Sequence, residues 1–197
     1  MITEIVVATH NQGKLEEFKA LLAELNITVK SLNDFPPVEE PEENGRTFAA
    51  NARIKATYYA KHTGCVCLAD DSGLEVQALE GAPGVRSARY AGEKATDEEN
   101  NELLLNTMKF QVRRNCRYRA ALCVAQPNGK ILYEVDGSCD GMLLHAPLGE
   151  GGFGYDPLFW STELHKGMAE ATMQEKNKIS HRAKALHKLV TLWNKKK

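Results

Sequence analysis

A buried strand, a glycine-containing loop and an amphipathic helix follow one another at the start of the chain, and this succession most constrains the fold. Residues Glu4 to Thr9 form a short apolar run, which "HNQGK" interrupts. The next segment, "KLEEFKALLAELN", places Leu15, Phe18, Leu22 and Leu25 on one stripe of a helix. A strand that leads directly into a helix in this way is typical of α/β proteins.

The same alternation recurs further along the chain. Residues Thr47 to His62 have the apolar spacing of a helix, Gly64 is placed to end it, and "CVCLAD" follows as a short buried strand. Thr96 and Glu99 form a capping box that opens another helix, which we expect to run through Met108. These elements extend the α/β pattern over the first half of the sequence.

Two long strands and a helical C-terminal part complete the pattern. The segments "CRYRAALCVAQ" and "KILYEVDGSCDGML" are predicted to be strands joined by a turn at "PNG", and helical sequence runs from Thr172 to Trp193. The 197 residues contain no internal repeat and no linker long enough to separate domains. We therefore predict a single domain over residues 1–197.

Charge and cysteine content argue against several classes of protein. The net charge is -1, so no basic field favours a nucleic-acid partner. The sequence has no apolar run of about 18 residues and no signal-peptide pattern, so we expect neither a membrane partner nor secretion. Five cysteines without a C-x-x-C pair indicate reduced thiols in a cytoplasmic protein, rather than disulfides or a zinc site.

The loop "THNQGK", residues Thr9 to Lys14, is the first candidate ligand site. Its glycine allows close approach of a ligand, the N–H groups at the start of a helix favour an anion, and Lys14 adds a positive charge. The spacing is not that of a Walker A loop. The alternative interpretation is an ordinary connection between a strand and a helix, with an exposed lysine.

Carboxylates concentrate at two places in the sequence. Asp70 and Asp71 come at the end of the predicted strand "CVCLAD", and Mg²⁺ often takes only one or two protein carboxylates. The alternative for the pair is a turn or capping role with Ser72 and Gly73. If strand geometry persists there, the two aspartates point to opposite faces. The second place is an acidic loop that contains Glu39, Glu40, Glu42 and Glu43. The alternative to a metal-binding role for these glutamates is a solvated loop.

The segment "GGFGYDP", residues Gly151 to Pro157, is a third candidate. Glycines on both sides of Phe153 leave room for a flat ligand against the ring, and Tyr155 and Asp156 offer polar contacts. The alternative is a tight turn with an aromatic residue in the core.

The fourth candidate is "EKNKISHR", which places Lys176, Lys178, His181 and Arg182 close together. On an unbroken helix Lys176 and Arg182 would project to different sides. We therefore predict that the helix breaks near Ser180, which would cap a second helix with His181 and Arg182 in its first turn. The alternative is a solvated helix face.

These segments, in this order, resemble the inosine triphosphatase family, nucleoside triphosphate pyrophosphatases that act on non-standard purines. The resemblance rests on "VVATHNQGKLEEF", "EENGRTFAANARIKA", "LADDSGLEVQALEGAPGVRSARYAG", "GGFGYDPLF" and "EKNKISHRAKAL", which together span nearly the whole chain. It implies an elongated α/β fold, with a long mixed β-sheet flanked by helices and two lobes around a central substrate cleft. It also implies a homodimer.

The implied activity is Mg²⁺-dependent hydrolysis of ITP, dITP and XTP to the monophosphate and pyrophosphate, by attack of water at the α-phosphorus. The relative preference among these substrates stays open. By position in the matching segments, Asp71 is the expected base and a metal ligand. Glu42 is the expected second metal-site acid, with the adjacent Glu43 as its alternative. The expected substrate-binding residues are Thr9, Asn11, Gly13, Lys14, Ser72, Phe153, Gly154, Tyr155, Asp156, Lys176, His181 and Arg182.

Two neighbours of these residues have open roles. His10 stands where the family often has a small residue, so its side chain must either point away from the phosphates or contact them. We expect Asp70 to bond the local turn or to support the loop of Asp71, unless both aspartates face the cleft and share the metal. Hydrogen bonds to a 6-keto group would disfavour a 6-amino purine, and Asp156, His181 and Arg182 are candidates for that selection.

Two other functions remain as alternatives. A Maf-like pyrophosphatase would act on pyrimidine or modified nucleotides, and the "SHR" segment argues against it. A non-catalytic nucleotide sensor would keep Lys14, Lys176 and Arg182 but would not need the acids, which are present here.

Overall fold

The structure is a computed structural model that describes residues 2–23 and 27–195. Leu25, which was predicted to extend the apolar stripe of the first helix, lies outside the described residues. The described helices are α1 (Gln12–Leu22), α2 (Phe48–Thr63), α3 (Asp97–Thr107), α4 (Met173–Ile179) and α5 (His181–Asn194). The described strands are β1 (Glu4–Val7), β2 (Thr28–Ser31), β3 (Cys67–Val76), β4 (Asn115–Ala125), β5 (Ile131–Leu143), β6 (Phe159–Ser161) and β7 (Lys166–Gly167).

These strands form one mixed sheet in the order β2-β1-β3-β4-β5-β6-β7. Strand β1 runs parallel to both β2 and β3, whereas β6 runs antiparallel to β5 and β7. Parallel strands that alternate with helices, followed by a long hairpin, are the arrangement that the apolar patterns predicted. The α/β fold with a mixed sheet is confirmed, while two lobes around a cleft stay a prediction.

The chain divides into two compact units. The first consists of the described parts of Met1–Asp71, Ala120–Gly137 and Arg182–Lys197, and the second of Ser72–Arg119 and Ser138–His181. Strands β3, β4 and β5 each contribute residues to both units. The prediction of a single domain stays a prediction.

Each unit has its own apolar core. In the first unit α1 and α5 bury one face each against β1, β3 and β4, and removal of such side chains from water is the main stabilising term in folding. The buried side chains there include Ile5, Val7, Leu15, Phe18, Leu22, Leu68, Leu122, Leu186 and Leu189. The core of the second unit includes Leu74, Leu104, Met108, Tyr118, Leu143, Tyr155, Leu158, Phe159 and Ile179.

The predicted helix ends are confirmed. The Thr47 side chain accepts a hydrogen bond from the amide of Ala50, and Gly64 ends α2 in the left-handed conformation (φ 68°). Thr96 and Glu99 form the expected capping box of α3. Local side-chain chemistry therefore determines where these helices begin and end.

The C-terminal helical sequence breaks at Ser180, as predicted. Helix α4 ends at Ile179, Ser180 is extended (φ -62°, ψ 155°), and α5 begins at His181. Lys176 and Arg182 therefore belong to two different helices. The 100° rotation per residue of a single helix does not fix the directions of their side chains relative to each other.

Two expectations from composition can be compared with the structure. All five cysteines are free, in agreement with reduced thiols. No helix within residues 2–23 and 27–195 combines the length and the apolar character needed to cross a membrane.

Candidate active site

Strand β3 carries the two adjacent aspartates and continues beyond them to Val76, so their side chains alternate across it. Asp70 Oδ2 lies 2.8 Å from Lys14 Nζ. Asp71 accepts hydrogen bonds from Asn51 Nδ2 at 3.1 Å and from Lys55 Nζ at 3.3 Å. The two carboxylates therefore have separate partners, as expected if strand geometry persists.

Asp70 belongs to a buried cluster of opposite charges in the first unit. Besides Lys14, it faces Arg182 Nε at 3.5 Å, and Arg182 Nη1 donates to Glu17 Oε2 at 2.9 Å. The side chains of Arg182 and Glu17 are each 6% exposed, and that of Asp70 is 1% exposed. Two cations thus balance two carboxylates, which is the condition under which buried charges are tolerated.

The protonation of this cluster follows from burial and charge. Burial alone would raise the pKa of Asp70, but Lys14 and Arg182 outweigh it and hold the pKa well below the usual range. Burial lowers the pKa of Lys14, and the Asp70 charge opposes that effect. Asp70 is therefore an anionic partner of two predicted substrate-binding cations, rather than a residue bonded only to its local turn.

The loop from Thr9 to Lys14 uses its polar side chains to shape the start of α1. Thr9 Oγ1 accepts from the Asn11 amide at 3.1 Å, and Asn11 Oδ1 accepts from the Lys14 amide at 3.0 Å. Asn11 is thus the N-cap of α1, and Gly13 lies in the first turn. His10 points toward Tyr59, with its Nε2 3.5 Å from the phenol oxygen, and toward Glu40 at 3.8 Å.

The surroundings of Asp71 include a lysine that also touches the acidic loop. Lys55 Nζ lies 3.3 Å from Asp71 Oδ1 and 3.3 Å from Glu43 Oε1. Burial raises the pKa of Asp71, and the Lys55 charge acts against that rise. Burial lowers the pKa of Lys55, but the charges of Asp71 and Glu43 outweigh burial and raise this pKa above its usual value. Glu42 is exposed, whereas Glu43 is partly buried and shares the Lys55 ammonium with Asp71.

The residues around Asp71 fit a magnesium ion that takes few protein ligands. Asp71 and Glu43 both turn toward one positively charged point, the Lys55 ammonium. Among the described residues, no group of three or more His, Cys, Asp or Glu side chains is arranged to hold a metal by itself. One or two carboxylates, completed by waters and phosphates, is the coordination that Mg²⁺ commonly has in nucleotide sites.

In the second unit Asp156 organises the segment "GGFGYDP". Its Oδ2 accepts from Lys176 Nζ at 2.7 Å and from the Phe153 amide at 3.3 Å, and its Oδ1 accepts from the Tyr118 hydroxyl at 3.2 Å. Gly152 has φ +80°, and a Cβ there would collide with the Asp156 carboxylate. The segment is therefore a fixed turn around a buried ion pair.

Two further predicted residues are also held within the second unit. The imidazole of His181 stacks on Tyr118, with 4.8 Å between ring centroids and 14° between the planes. The Tyr155 hydroxyl donates to the Ser87 carbonyl oxygen at 2.8 Å, and burial raises the pKa of this phenol. Tyr155 is thus a neutral, internally bonded side chain.

A family model described as the Ham1 family matches residues 5–192. The chain belongs to the Ham1 family. Two solved structures agree with this in fold. The Ham1 protein of Staphylococcus aureus has 38% identity and a TM-score of 0.87, covering 98% of this chain and 100% of its own. A HAM1 protein from Coxiella burnetii has 40% identity and a TM-score of 0.88, covering 99% of this chain and 100% of its own.

Similar proteins have a named activity. A dITP/XTP pyrophosphatase of an Exiguobacterium strain is 49% identical over 186 residues, 94% of each chain. Another, from Geobacillus kaustophilus, is 50% identical over 192 residues, 96% of this chain and 94% of its own. The family relationship inferred from the sequence is therefore confirmed.

Within this Ham1 chain the predicted site residues fall into two sets, one in each compact unit. The first unit contains Thr9, Asn11, Gly13, Lys14, Glu42, Asp71 and Arg182, and the second contains Ser72, Phe153, Gly154, Tyr155, Asp156, Lys176 and His181. Within each unit the structure brings most of the charged members together with opposite charges. Their roles toward a substrate stay predictions.

Several residues that contact members of these sets were not singled out from the sequence. Asn51 and Lys55 contact Asp71, Glu17 contacts Arg182, and Tyr118 contacts Asp156. Asn51 and Lys55 are four residues apart on α2 and therefore share a helix face. Because they lie in the matched segment "EENGRTFAANARIKA", that spacing was the available signal.

Proposed function

We propose that the chain hydrolyses non-standard purine nucleoside triphosphates (ITP, dITP and XTP) to the monophosphate and pyrophosphate. The observation that carries this proposal is 49% identity, over 94% of both chains, to a protein named dITP/XTP pyrophosphatase. The activity would remove deaminated purines from the nucleotide pool. We also propose that it takes place in the cytoplasm, in keeping with five free thiols.

Asp71 is the proposed base. In the proposed reaction a water oxygen bonds to the α-phosphorus, and the bond from that phosphorus to the α,β-bridging oxygen breaks. Pyrophosphate leaves with the bridging oxygen, and the water proton passes to Asp71. Asn51 and Lys55 hold the Asp71 carboxylate in place. A pKa raised by burial makes this carboxylate a better proton acceptor than an exposed aspartate.

We propose Mg²⁺ as the cofactor, held by Asp71 and by an acid of the 42–43 pair. Glu42 is the residue that the family resemblance implies, and Glu43 is the one that shares Lys55 with Asp71. When bound, the ion would neutralise phosphate charge and help to orient the attacking water.

We propose that the two sets of residues bind different parts of the nucleotide. Lys14 and Arg182, with Thr9, Asn11 and Gly13, would hold phosphates, because positioning and neutralisation of charge are most of what phosphoryl transfer requires. Phe153 would stack on the base, while Ser72, Gly154, Tyr155, Asp156, Lys176 and His181 would complete the nucleotide contacts. Donors to the 6-oxygen would select against adenine, since a 6-amino group would leave them unpaired.

A panel of nucleotides tests the proposed function. We expect pyrophosphate release from ITP, dITP and XTP at least about a hundredfold faster than from ATP or GTP, judged by kcat/KM, because buried polar groups reject a mispaired base strongly. Omission of Mg²⁺, with EDTA present, should abolish turnover. The measurements are coupled pyrophosphate detection and chromatography of the products.

Each alternative has its own outcome in that panel. Equal turnover of all purines would contradict the specificity, and orthophosphate as the first product would contradict the reaction. A preference for pyrimidine or modified nucleotides would favour a Maf-like enzyme. Binding without turnover in the presence of Mg²⁺ would favour a sensor.

We also propose that the chain forms a homodimer, as the resemblance implies. Phe110 and Val112 are 89% and 96% exposed, and Lys109 and Arg113 flank them. Exposed apolar side chains next to charges are typical of interaction sites. A cavity of about 580 Å³ in the same unit is lined in part by Glu75, Glu80, Asn115, Arg117 and Asp140. Glu75 is paired with Arg117, so Glu80 and Asp140 are the acids there whose charge is opposite to that of the basic 109–113 segment.

The exposed 110–112 side chains lie near the cavity in the same chain, which favours a symmetric contact between two copies of the chain. Val112 is three residues from Asn115, so their Cα atoms lie within about 11 Å. A projection and a cavity that lie close together suit a two-fold contact, in which each copy presents both.

Sedimentation equilibrium tests the dimer and its surface together. We expect a dimer for the unmodified protein and a monomer for the double variant Phe110→Ser/Val112→Ser, because the apolar contact is lost. Leu192→Ser, at a position 40% exposed in the other unit, is the matched control and should stay dimeric. A monomeric unmodified protein would rule out the dimer, and a dimeric double variant would rule out this surface.

A further inference from the structure

We propose that Asp97 and Asn101, on helix α3, are positioning residues that fix the peptide groups of Gly154 and thereby set the segment Phe153–Tyr155 for the purine base. This inference rests on the proposed function, because it assigns these two residues to base selection at the same site. It adds two residues that none of the four sequence segments pointed to as ligand contacts.

Both backbone polar groups of Gly154 are held by side chains from one helix. The Gly154 amide donates to Asp97 Oδ2 at 2.6 Å, and the Gly154 carbonyl oxygen accepts from Asn101 Nδ2 at 2.9 Å. Asp97 and Asn101 are four residues apart on α3, so they project from the same face. The two side chains therefore hydrogen-bond both backbone polar groups of Gly154.

Gly154 is the residue of this segment whose backbone conformation is most affected by such hydrogen bonds. Its φ is +63°, and glycine has more backbone freedom than any other residue. It lies between Phe153, the proposed stacking residue, and Tyr155. A change in its dihedral angles would swing the Phe153 ring, whereas two hydrogen bonds to fixed side chains restrict that change.

The rest of the segment is already tied down, which leaves Gly154 as the adjustable point. Phe153 and Asp156 bond to each other twice, through the Phe153 amide and through its carbonyl oxygen. The Tyr155 hydroxyl bonds to Ser87. Without Asp97 and Asn101, Phe153 and Tyr155 would keep these hydrogen bonds, but the Gly154 amide and carbonyl oxygen would lose theirs.

Helix α3, which carries Asp97 and Asn101, is itself held in place by hydrogen bonds. Its N-terminus has the Thr96–Glu99 capping box. Asn100 Oδ1 accepts from the Ala91 amide at 2.8 Å, and its Nδ2 donates to the Ala88 carbonyl oxygen at 3.2 Å. The first turns of α3 are thus fixed to the 88–91 segment.

A capping role for Asp97 is already filled by another residue. The N-cap of α3 is Thr96, whose side chain accepts from the Glu99 amide. Asp97 is the first residue of the helix, and its carboxylate accepts from a residue 57 positions away in sequence. A negative charge near a helix N-terminus is stabilised in any case, so the bond to Gly154 is compatible with the helix.

The test uses the double variant Asp97→Ala/Asn101→Leu. We expect KM for dITP to rise about tenfold, with kcat changed less than about threefold, because a misplaced base contact weakens binding. The preference for dITP over dGTP, as a ratio of kcat/KM, should fall about tenfold. Inhibition by inorganic tripolyphosphate should be unchanged, because this probe has no base. Asp97→Asn, which keeps an acceptor oxygen, should restore most of the Asp97→Ala loss.

The matched control is Glu98→Ala/Glu102→Leu, at two exposed positions one residue further along the same helix, which should behave as the unmodified protein. Hydrogen exchange at the Gly154 amide in the ligand-free protein should be slow and become at least about tenfold faster in Asp97→Ala, since that amide loses its acceptor.

The outcomes separate this inference from the proposed function. Unchanged KM and unchanged dITP preference in the double variant, with an active parent protein, would overturn the positioning role alone. A parallel loss of dITP turnover, tripolyphosphate inhibition and thermal stability would also overturn it, because it would show general damage. An inactive parent protein would refute the proposed function and base selection with it, while hydrogen exchange would still report whether Asp97 holds Gly154.

Discussion

Replacement of Asp71 by asparagine is expected to lower kcat for dITP about a hundredfold or more, because loss of a general base typically costs that factor. The fold should stay intact. Asparagine has nearly the same shape, its side-chain oxygen can still accept from Asn51, and Lys55 keeps Glu43 as a partner. The measurements are steady-state pyrophosphate release and the midpoint of urea unfolding.

The control for this change is Asp136→Asn, at an exposed aspartate of the same unit, which should leave both measurements unchanged. If Asp71→Asn keeps more than about a tenth of the parent kcat, a factor of ten being 1.4 kcal/mol, the base is another group. If activity and stability fall together, Asp71 is a structural residue and its catalytic role is unsupported.

Replacement of Arg182 by methionine is expected to destabilise the protein by about 3–5 kcal/mol, the usual cost of removing one partner from a buried ion pair. Methionine fills much of the same space, but Glu17 would lose the cation that lies 2.9 Å from it. Asp70 would keep Lys14. Urea denaturation at neutral pH measures the change, with the slope of the transition as a check on two-state behaviour.

A double-mutant cycle and an exposed pair sharpen this result. Glu17→Gln/Arg182→Met should be clearly less destabilised than the sum of the single changes, because no unpaired charge is left buried. Arg53→Met breaks the exposed pair with Glu134 in the same unit and should cost about 1 kcal/mol or less. If Arg182→Met costs no more than Arg53→Met, the buried cluster contributes little to stability.

Features decided by neighbours in sequence could be predicted well. The caps of α2 and α3 depend on side chains within four residues of the helix ends, and the break at Ser180 followed from the spacing of the basic residues. The length of β3 was underestimated. The aspartates and Ser72-Gly73 are typical of a turn, yet the strand continues through them to Val76 because the sheet supplies partners.

Contacts between distant parts of the chain could not be predicted from the residues alone. Asp70 meets Arg182 across 112 positions, and Asp156 meets Lys176 across 20. Single-sequence periodicity contains no information on such pairings. The family resemblance supplied the predicted residues, but it did not indicate that Asp70 neutralises Lys14 and Arg182, or that Asp97 and Asn101 hold Gly154.

The alternation of Asp70 and Asp71 along β3 has a consequence for how this chain can vary. The two side chains are chemically identical, so only their register in the strand distinguishes the partner of Lys14 from the partner of Lys55. A one-residue deletion or bulge just before them would turn each carboxylate to the opposite face. Insertions and deletions in β3 are therefore more damaging than many substitutions, since strand register rather than residue type encodes which aspartate does which task.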